Sequence, residues 1–130
     1  GLIKKAGTTA VAISSATALT QADSGGIFTM AQSSTYDVDL PSPTTGPGLS
    51  FFFSLTAPGS FSPTITVLGG AATFVGSVIT EGQIVVATGA TLTFVSATAV
   101  IGDSIEIRSI ATNLYHVRAV SSILNGITIA

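Results

Sequence analysis

The sequence predicts an all-β protein: a single antiparallel sandwich or barrel-like domain with an extended N-terminal arm. Three observations carry that expectation. Val, Ile, Phe and Thr, which fit a pleated and half-buried surface, are abundant. The 14 Gly and five Pro supply turns. Short apolar or alternating runs recur about every 8–12 residues, with no helix-length pattern between them, which reads as a sandwich or barrel and not as βα units.

Residues 1–24 are small and poor in large side chains, as in Thr9-Ala10-Val11-Ala12-Ile13-Ser14, and offer too little apolar area to order themselves alone. They are expected to form an arm that either lies along a neighbouring subunit or a host surface, adding hydrogen bonds to an exposed sheet edge, or remains a loose terminus. Residues 25–130 are the expected domain. Ile27-Phe28-Thr29-Met30 is its first strand, and Tyr36-Asp37-Val38-Asp39-Leu40 its second, with the carboxylates on the face opposite Tyr36, Val38 and Leu40. Three prolines and two glycines between Pro41 and Gly48 enforce an irregular loop. Leu49, Phe51, Phe53 and Leu55 then share one side of the expected central strand, and Phe52 breaks the polar alternation of the other. Further strands are expected at Thr64–Leu68, Ala72–Ile79, Gln83–Val86 and Ala90–Val95, separated by Gly69-Gly70 and Glu81-Gly82.

The C-terminal stretch predicts a hairpin. Ser104–Ile110 and Tyr115–Ala119 both alternate cleanly. Pairing Ile110 with Leu114 across a three-residue loop, with Asn113 left-handed, sets Ile107 opposite Val117 and Glu106 opposite Arg118. A last short strand, Ile127-Thr128-Ile129, follows the turn dipeptide Asn125-Gly126.

Charge and composition narrow the function classes. Charged residues make up 8% of the chain against roughly 25% in a typical soluble domain, while Ser and Thr number 16 and 19. A hydroxyl-covered surface with a net charge of −2 repels its own copies weakly, which favours association. Without Cys there is no disulfide framework, thiolate metal site or cysteine nucleophile. Four scattered basic residues make no patch for nucleic acid. No window reaches the roughly 18 uninterrupted apolar residues of a membrane-spanning helix, and hydroxyls at Thr8, Thr9, Ser14, Ser15 and Thr17 interrupt the run that would resemble a signal peptide.

Little catalytic chemistry is in reach. His116 is the only imidazole, and no serine stands in a G-x-S-x-G elbow. Asp37 and Asp39 lie about 7 Å apart on one strand face, but no calcium-loop pattern accompanies them. Neither a cofactor nor a metal is expected, and the chain is not expected to be an enzyme. What the hairpin does gather is a ladder of Glu106, Arg108, His116 and Arg118 on its polar face, half of the basic residues and the only His, read here as an interface contact.

The order of certain motifs carries a resemblance. Leu40-Pro41-Ser42-Pro43, Gly48-Leu49-Ser50-Phe51-Phe52-Phe53, Thr91-Leu92-Thr93-Phe94, Gly102-Asp103-Ser104-Ile105-Glu106 and Asn113-Leu114-Tyr115-His116-Val117 follow one another. This succession resembles β-rich modules of tailed-bacteriophage virions, where a leucine-proline turn, an aromatic strand, a GDS-x-E strand and an N-x-Y-x-V strand occur in that order. Such modules occur in capsid decoration (cement) proteins and in head or tail fibre segments. Leu114 departs from the Trp often found after that Asn.

The resemblance implies a structural protein on the capsid surface of a virion, docked as a homo-oligomer, usually a trimer, on the major capsid protein. On that reading the arm, with Lys4, Lys5, Val11 and Ile13, and the ladder of Glu106, Arg108, His116 and Arg118 contact the partner. The other expectation is a fibre or adhesin module that binds a host receptor or glycan. It requires an aromatic platform, for which Tyr36 and Tyr115 are the candidates.

Overall fold

The computed structural model describes residues 9–44, 47–70 and 72–130, and it is an all-β sandwich. Its strands are β1 (Val11–Ile13), β2 (Thr17–Ala18), β3 (Gly26–Ala31), β4 (Asp37–Leu40), β5 (Ser50–Ala57), β6 (Thr64–Val67), β7 (Thr73–Thr80), β8 (Gln83–Gly89), β9 (Leu92–Phe94), β10 (Ser104–Ala111), β11 (Leu114–Ser121) and β12 (Ile127–Ile129). A seven-stranded sheet A, in the order β1-β3-β5-β10-β11-β7-β8, packs on a five-stranded sheet B, in the order β12-β9-β6-β4-β2.

Alternation builds the core. Phe51, Phe53 and Leu55 of β5, Ile105 and Ile107 of β10, and Tyr115 and Val117 of β11 point inward from sheet A. Val38, Leu40, Ile65, Leu92, Phe94 and Ile127 meet them from sheet B. The aromatic rings stack or meet edge-on: Phe28 stacks with Phe53 at 5.3 Å and Phe74 with Tyr115 at 5.9 Å, and Phe51 meets Tyr115 edge-on at 6.5 Å.

The sheets are mixed, which corrects the antiparallel expectation: five of the ten strand pairings are parallel. Four of the five come from a winding, and the fifth joins β7 to β11. From β1 to β6 the chain crosses from one sheet to the other after every strand, so each return lays a strand beside the one two before it and in the same direction. The turns β1–β2, β3–β4 and β5–β6 therefore stack as a three-turn coil, with β1, β3 and β5 parallel in sheet A and β2, β4 and β6 parallel in sheet B. Stacked corners hold the coil together. The Gln32 amide N–H donates to the Ala57 carbonyl (2.8 Å), and the buried Gln32 side chain accepts from the Gly59 N–H (2.9 Å) and donates to the Phe94 carbonyl (3.2 Å). Tyr36 reaches back from the second turn, its hydroxyl 2.7 Å from the Ala31 carbonyl and 3.1 Å from that of Ile13.

The first coil turn is the described part of the expected arm. Instead of reaching for a neighbour, Val11–Ile13 pair with Phe28–Met30, and Thr17-Ala18 pair with Val38-Asp39 of the same chain. A boundary at residue 24 therefore separates nothing in the fold. Residues 1–8, including Lys4 and Lys5, lie outside the described residues.

From β7 onward the chain makes two antiparallel hairpins. β7 and β8 join through Glu81-Gly82, both at positive φ (41° and 77°) as a type I′ turn demands. In the hairpin β10–β11, Glu106 faces Arg118, Ile107 faces Val117 and Arg108 faces His116, as the alternation predicts. Asn113 is left-handed at φ 58°. The loop differs from expectation: Ala111, not Ile110, pairs with Leu114, and a register shift between Ser109 and Ala111 keeps the faces matched.

Candidate functional site

The motifs that carry the resemblance meet inside the fold. The Tyr115 hydroxyl donates to the Pro41 carbonyl at 2.6 Å, and the Asn113 N–H donates to the Pro43 carbonyl at 3.1 Å, so the leucine-proline loop closes over the end of β11. Burial pushes the Tyr115 hydroxyl up to about 12 from the ordinary 10.0. Asp103 is buried and accepts from the N–H groups of Val100 and Ser122, both at 3.0 Å, and from the Ser121 hydroxyl at 3.3 Å. It ties the loop before β10 to the loop after β11. These residues are fastenings, and Tyr36 and Tyr115, both buried, present no aromatic platform to solvent.

The outer face of sheet A is the surface that remains. One row across it holds Ile27, Phe52, Glu106, Arg118, Ser77 and Val86; the next holds Ser50, Arg108, His116, Val75 and Thr88. All four ladder residues therefore project from the middle of one face, as expected. Arg108 and Arg118 are the only basic side chains among the described residues apart from His116. Glu106 stands opposite Arg118, but its ion pair runs along the strand, to Arg108 at 3.5 Å. Both partners are well exposed, so this pair contributes about 0–1 kcal/mol. The ladder is available for contact and does little for the fold.

Apolar groups flank these charges. Phe52 is half-buried, and Ile27, Val120, Ile84 and Val86 are exposed. A depression of about 120 Å³ lies against Ile27, Phe52, Glu106 and Arg108, and another of about 180 Å³ lies against Phe52, Glu106, Arg118 and Val120. Small-molecule pockets are commonly about 300–1,000 Å³, so these shallow hollows suit single side chains of an opposing protein surface.

Two of the expected partner residues sit elsewhere. Val11 is 53% exposed on edge strand β1, whereas Ile13 is only 4% exposed and belongs to the core, so it corrects the expectation of a contact there. Its burial follows from the pairing with Met30, which turns the Ile13 side chain toward sheet B.

The outer face of sheet B has another chemistry. Asp37, Thr64, Thr93 and Thr128 lie in one row, with Asp39 and Thr66 beside them. The Thr64 hydroxyl donates to Asp37 at 2.7 Å, while the Thr66 hydroxyl lies 2.6 Å from Asp37 and 3.1 Å from Asp39. Burial raises the Asp37 carboxyl above its ordinary 3.8; the Thr66 and Thr64 hydroxyls pull it down, and Asp39 adds to the rise. Among the described residues no three His, Asp or Glu side chains gather where a metal ion would sit, and no helix is long and apolar enough to cross a membrane.

The exposure of β8 was missed by sequence reasoning. Gln83–Val86 is expected as a strand, but nothing in the sequence places it at a sheet edge with Ile84, Val85 and Val86 all exposed. No protein-family model, curated protein or solved structure matches this chain.

Proposed function

We propose that the chain is a non-catalytic structural protein of a tailed-phage virion, one that decorates the outer capsid surface by docking as a homo-oligomer on the major capsid protein. The observation that carries the docking is the outer face of sheet A, where Arg108, Arg118 and His116 stand among Phe52, Ile27, Val120 and Val86. A broad face with few charges, an apolar surround and hollows of side-chain size fits a protein surface better than a small ligand. The virion assignment itself rests on the resemblance in motif order, whose residues serve here as fastenings between loops.

Quantitative mass spectrometry of purified particles of the encoding phage tests the assignment. Copies near one per shell subunit are the expected result; a handful would move the chain to a fibre or tail, and absence would end the virion reading. Docking through sheet A is tested with Arg118→Glu added to shells stripped of the protein. A loss of affinity of about tenfold or more, with an unchanged melting temperature, is expected from reversing a charge in the middle of the interface.

A further inference from the structure

We propose that the β8 edge is a self-association surface, on which two copies of the chain pair β8 against β8, antiparallel, across a two-fold axis at Val86. This joins two seven-stranded sheets into one. The inference stands on the geometry of the edge and does not rest on the virion reading.

The four sheet edges are unequal. β1, β2 and β12 are three, two and three residues long, whereas β8 runs for seven, paired to β7 without a register shift. Natural sheets blunt a long edge with charges, proline or a bulge. Gln83–Gly89 has none of these. Most of the strand is also uncovered, although Ala87 packs on the core and Gly89 lies against Ala130. Ile84 and Val86 stand on the outer face at 66% and 79% exposure. Val85 points inward beside Val78 but keeps 39% exposure, because β12 is the last strand of the smaller sheet beneath it. A crevice of about 120 Å³ opens there, walled by Val85, Ala87, Ile127 and Ile129. A strand added to β8 covers apolar side chains above and below it.

A second copy fits this edge better than a foreign strand. Thr80 and Gln83 close the two-residue type I′ turn and so exchange both of their backbone hydrogen bonds. The ladder alternates from that pair, which leaves the N–H and C=O groups of Ile84, Val86 and Thr88 pointing away from β7. Those three outward residues are symmetric about Val86. With the axis there, Val86 pairs with its own counterpart, Ile84 of one copy with Thr88 of the other, and Val85 with Ala87 over the crevice. Every free backbone group of this set finds a partner.

The charges agree with the pairing. Along the strand the first charged residue is Glu81, beyond the turn, and its two copies fall at opposite ends of the paired strands, about 34 Å apart by the strand rise, while Arg118, two strands in from Val86 in the same row, lies about 24 Å from its own counterpart by the strand spacing. Both separations are several Debye lengths at physiological salt. A charged partner strand, by contrast, has to seat its charges against Ile84 and Val86. Seven residues a side is well below the roughly 20–30 of a standard interface, so the association is weak and reversible, with a dissociation constant on the order of 10–100 μM.

Sedimentation of the full chain over a concentration series through that range tests the pairing. The expected result is a reversible shift from 12.9 kDa to twice that mass. Val86→Pro removes an outward N–H and spares the bonds to β7, and Val86→Lys places two ammonium groups on the axis; both should stay monomeric with an unchanged circular dichroism spectrum. The chain has no Cys, so register can be read by crosslinking with oxidised glutathione as the electron acceptor. Val86→Cys should form a dimer, while Ile84→Cys should not, because its two copies lie about 14 Å apart. A monomer at all concentrations, a trimeric mass, a dimer that survives both Val86→Pro and Val86→Lys, or equal crosslinking of the two Cys variants would overturn the proposal. Should Val86→Pro fail to fold, the two Cys variants still decide it.

Discussion

The two halves of the chain reach the same sandwich by different routes. Residues 11–67 wind as a coil whose neighbouring strands are parallel and two apart in sequence, while residues 73–129 contain the two hairpins, with strands paired to their immediate successors. The coil is held by corners stacked on corners and the hairpins by tight turns. The coil meets the second half where β5 pairs with β10 in sheet A and β6 with β9 in sheet B, and β7 against β11 joins the two hairpins to each other. Local pairing therefore specifies each hairpin, whereas the coil depends on layers laid over one another.

The largest expected effect comes from breaking a joint. A Cβ built at Gly76 would lie 1.9 Å from the Val117 carbonyl oxygen, backbone that has no room to yield. Gly76→Ala is expected to cost about 4 kcal/mol or more, at the exceptional end for a single substitution, and to lower the midpoint of chemical denaturation accordingly. A paired truncation sharpens the comparison at a smaller scale. Ile107 is fully buried at the joint of β10 with β5, and Ile107→Ala should cost about 3–4 kcal/mol. Ile13 is equally apolar but sits on the first coil turn, next to edge strand positions that can relax, so Ile13→Ala should cost about 2 kcal/mol, at the low end of the range. Equal losses in the two variants would show that the first turn is as tightly integrated as the joint.

The smallest expected effect is a pH dependence within the coil. Asp37 of β4 has a carboxyl raised above 3.8, chiefly by burial, so the folded protein holds that proton more firmly than the unfolded chain does. Its contribution is complete below pH 3.8 and is lost as the pH rises through the folded-state value. Asp37→Asn keeps a neutral group beside the Thr64 and Thr66 hydroxyls and should flatten the melting-temperature profile where the pH rises above 3.8.

These routes explain which parts of the fold were legible in the sequence. The hairpin β10–β11 could be read almost residue by residue, because alternation has a period of two and a slip by one residue would expose Ile105, Ile107 and Val117. The same parity revealed the outward ladder of Glu106, Arg108, His116 and Arg118. The coil left no such mark. Its parallel pairs need no turn dipeptide, and each strand's pattern shows which face is buried but not which strand lies beside it. Val11–Ile13 and Thr17-Ala18 carry so little apolar area that they read as an arm, although stacking on β3 and β4 is enough to order them. At β8 the strand was legible and its place in the sheet was not. Ile84-Val85-Val86 lies at an edge, where an apolar run signals a surface open to pairing and not a core.

The joint of β5 with β10 also sets a timetable for the growing chain. The coil can wind as it leaves the ribosome, since each of its strands finds its neighbour within a few tens of residues. β5 cannot be completed then: one of its edges waits for β10, about 50 residues later, which at ordinary elongation rates is an interval of about 3–10 seconds. Throughout that interval Ser50–Ala57, with Phe51 and Phe53, presents an unpaired apolar edge. Translation speed, and the crowding of identical nascent chains on one message, therefore bear directly on how much of this protein reaches its native state.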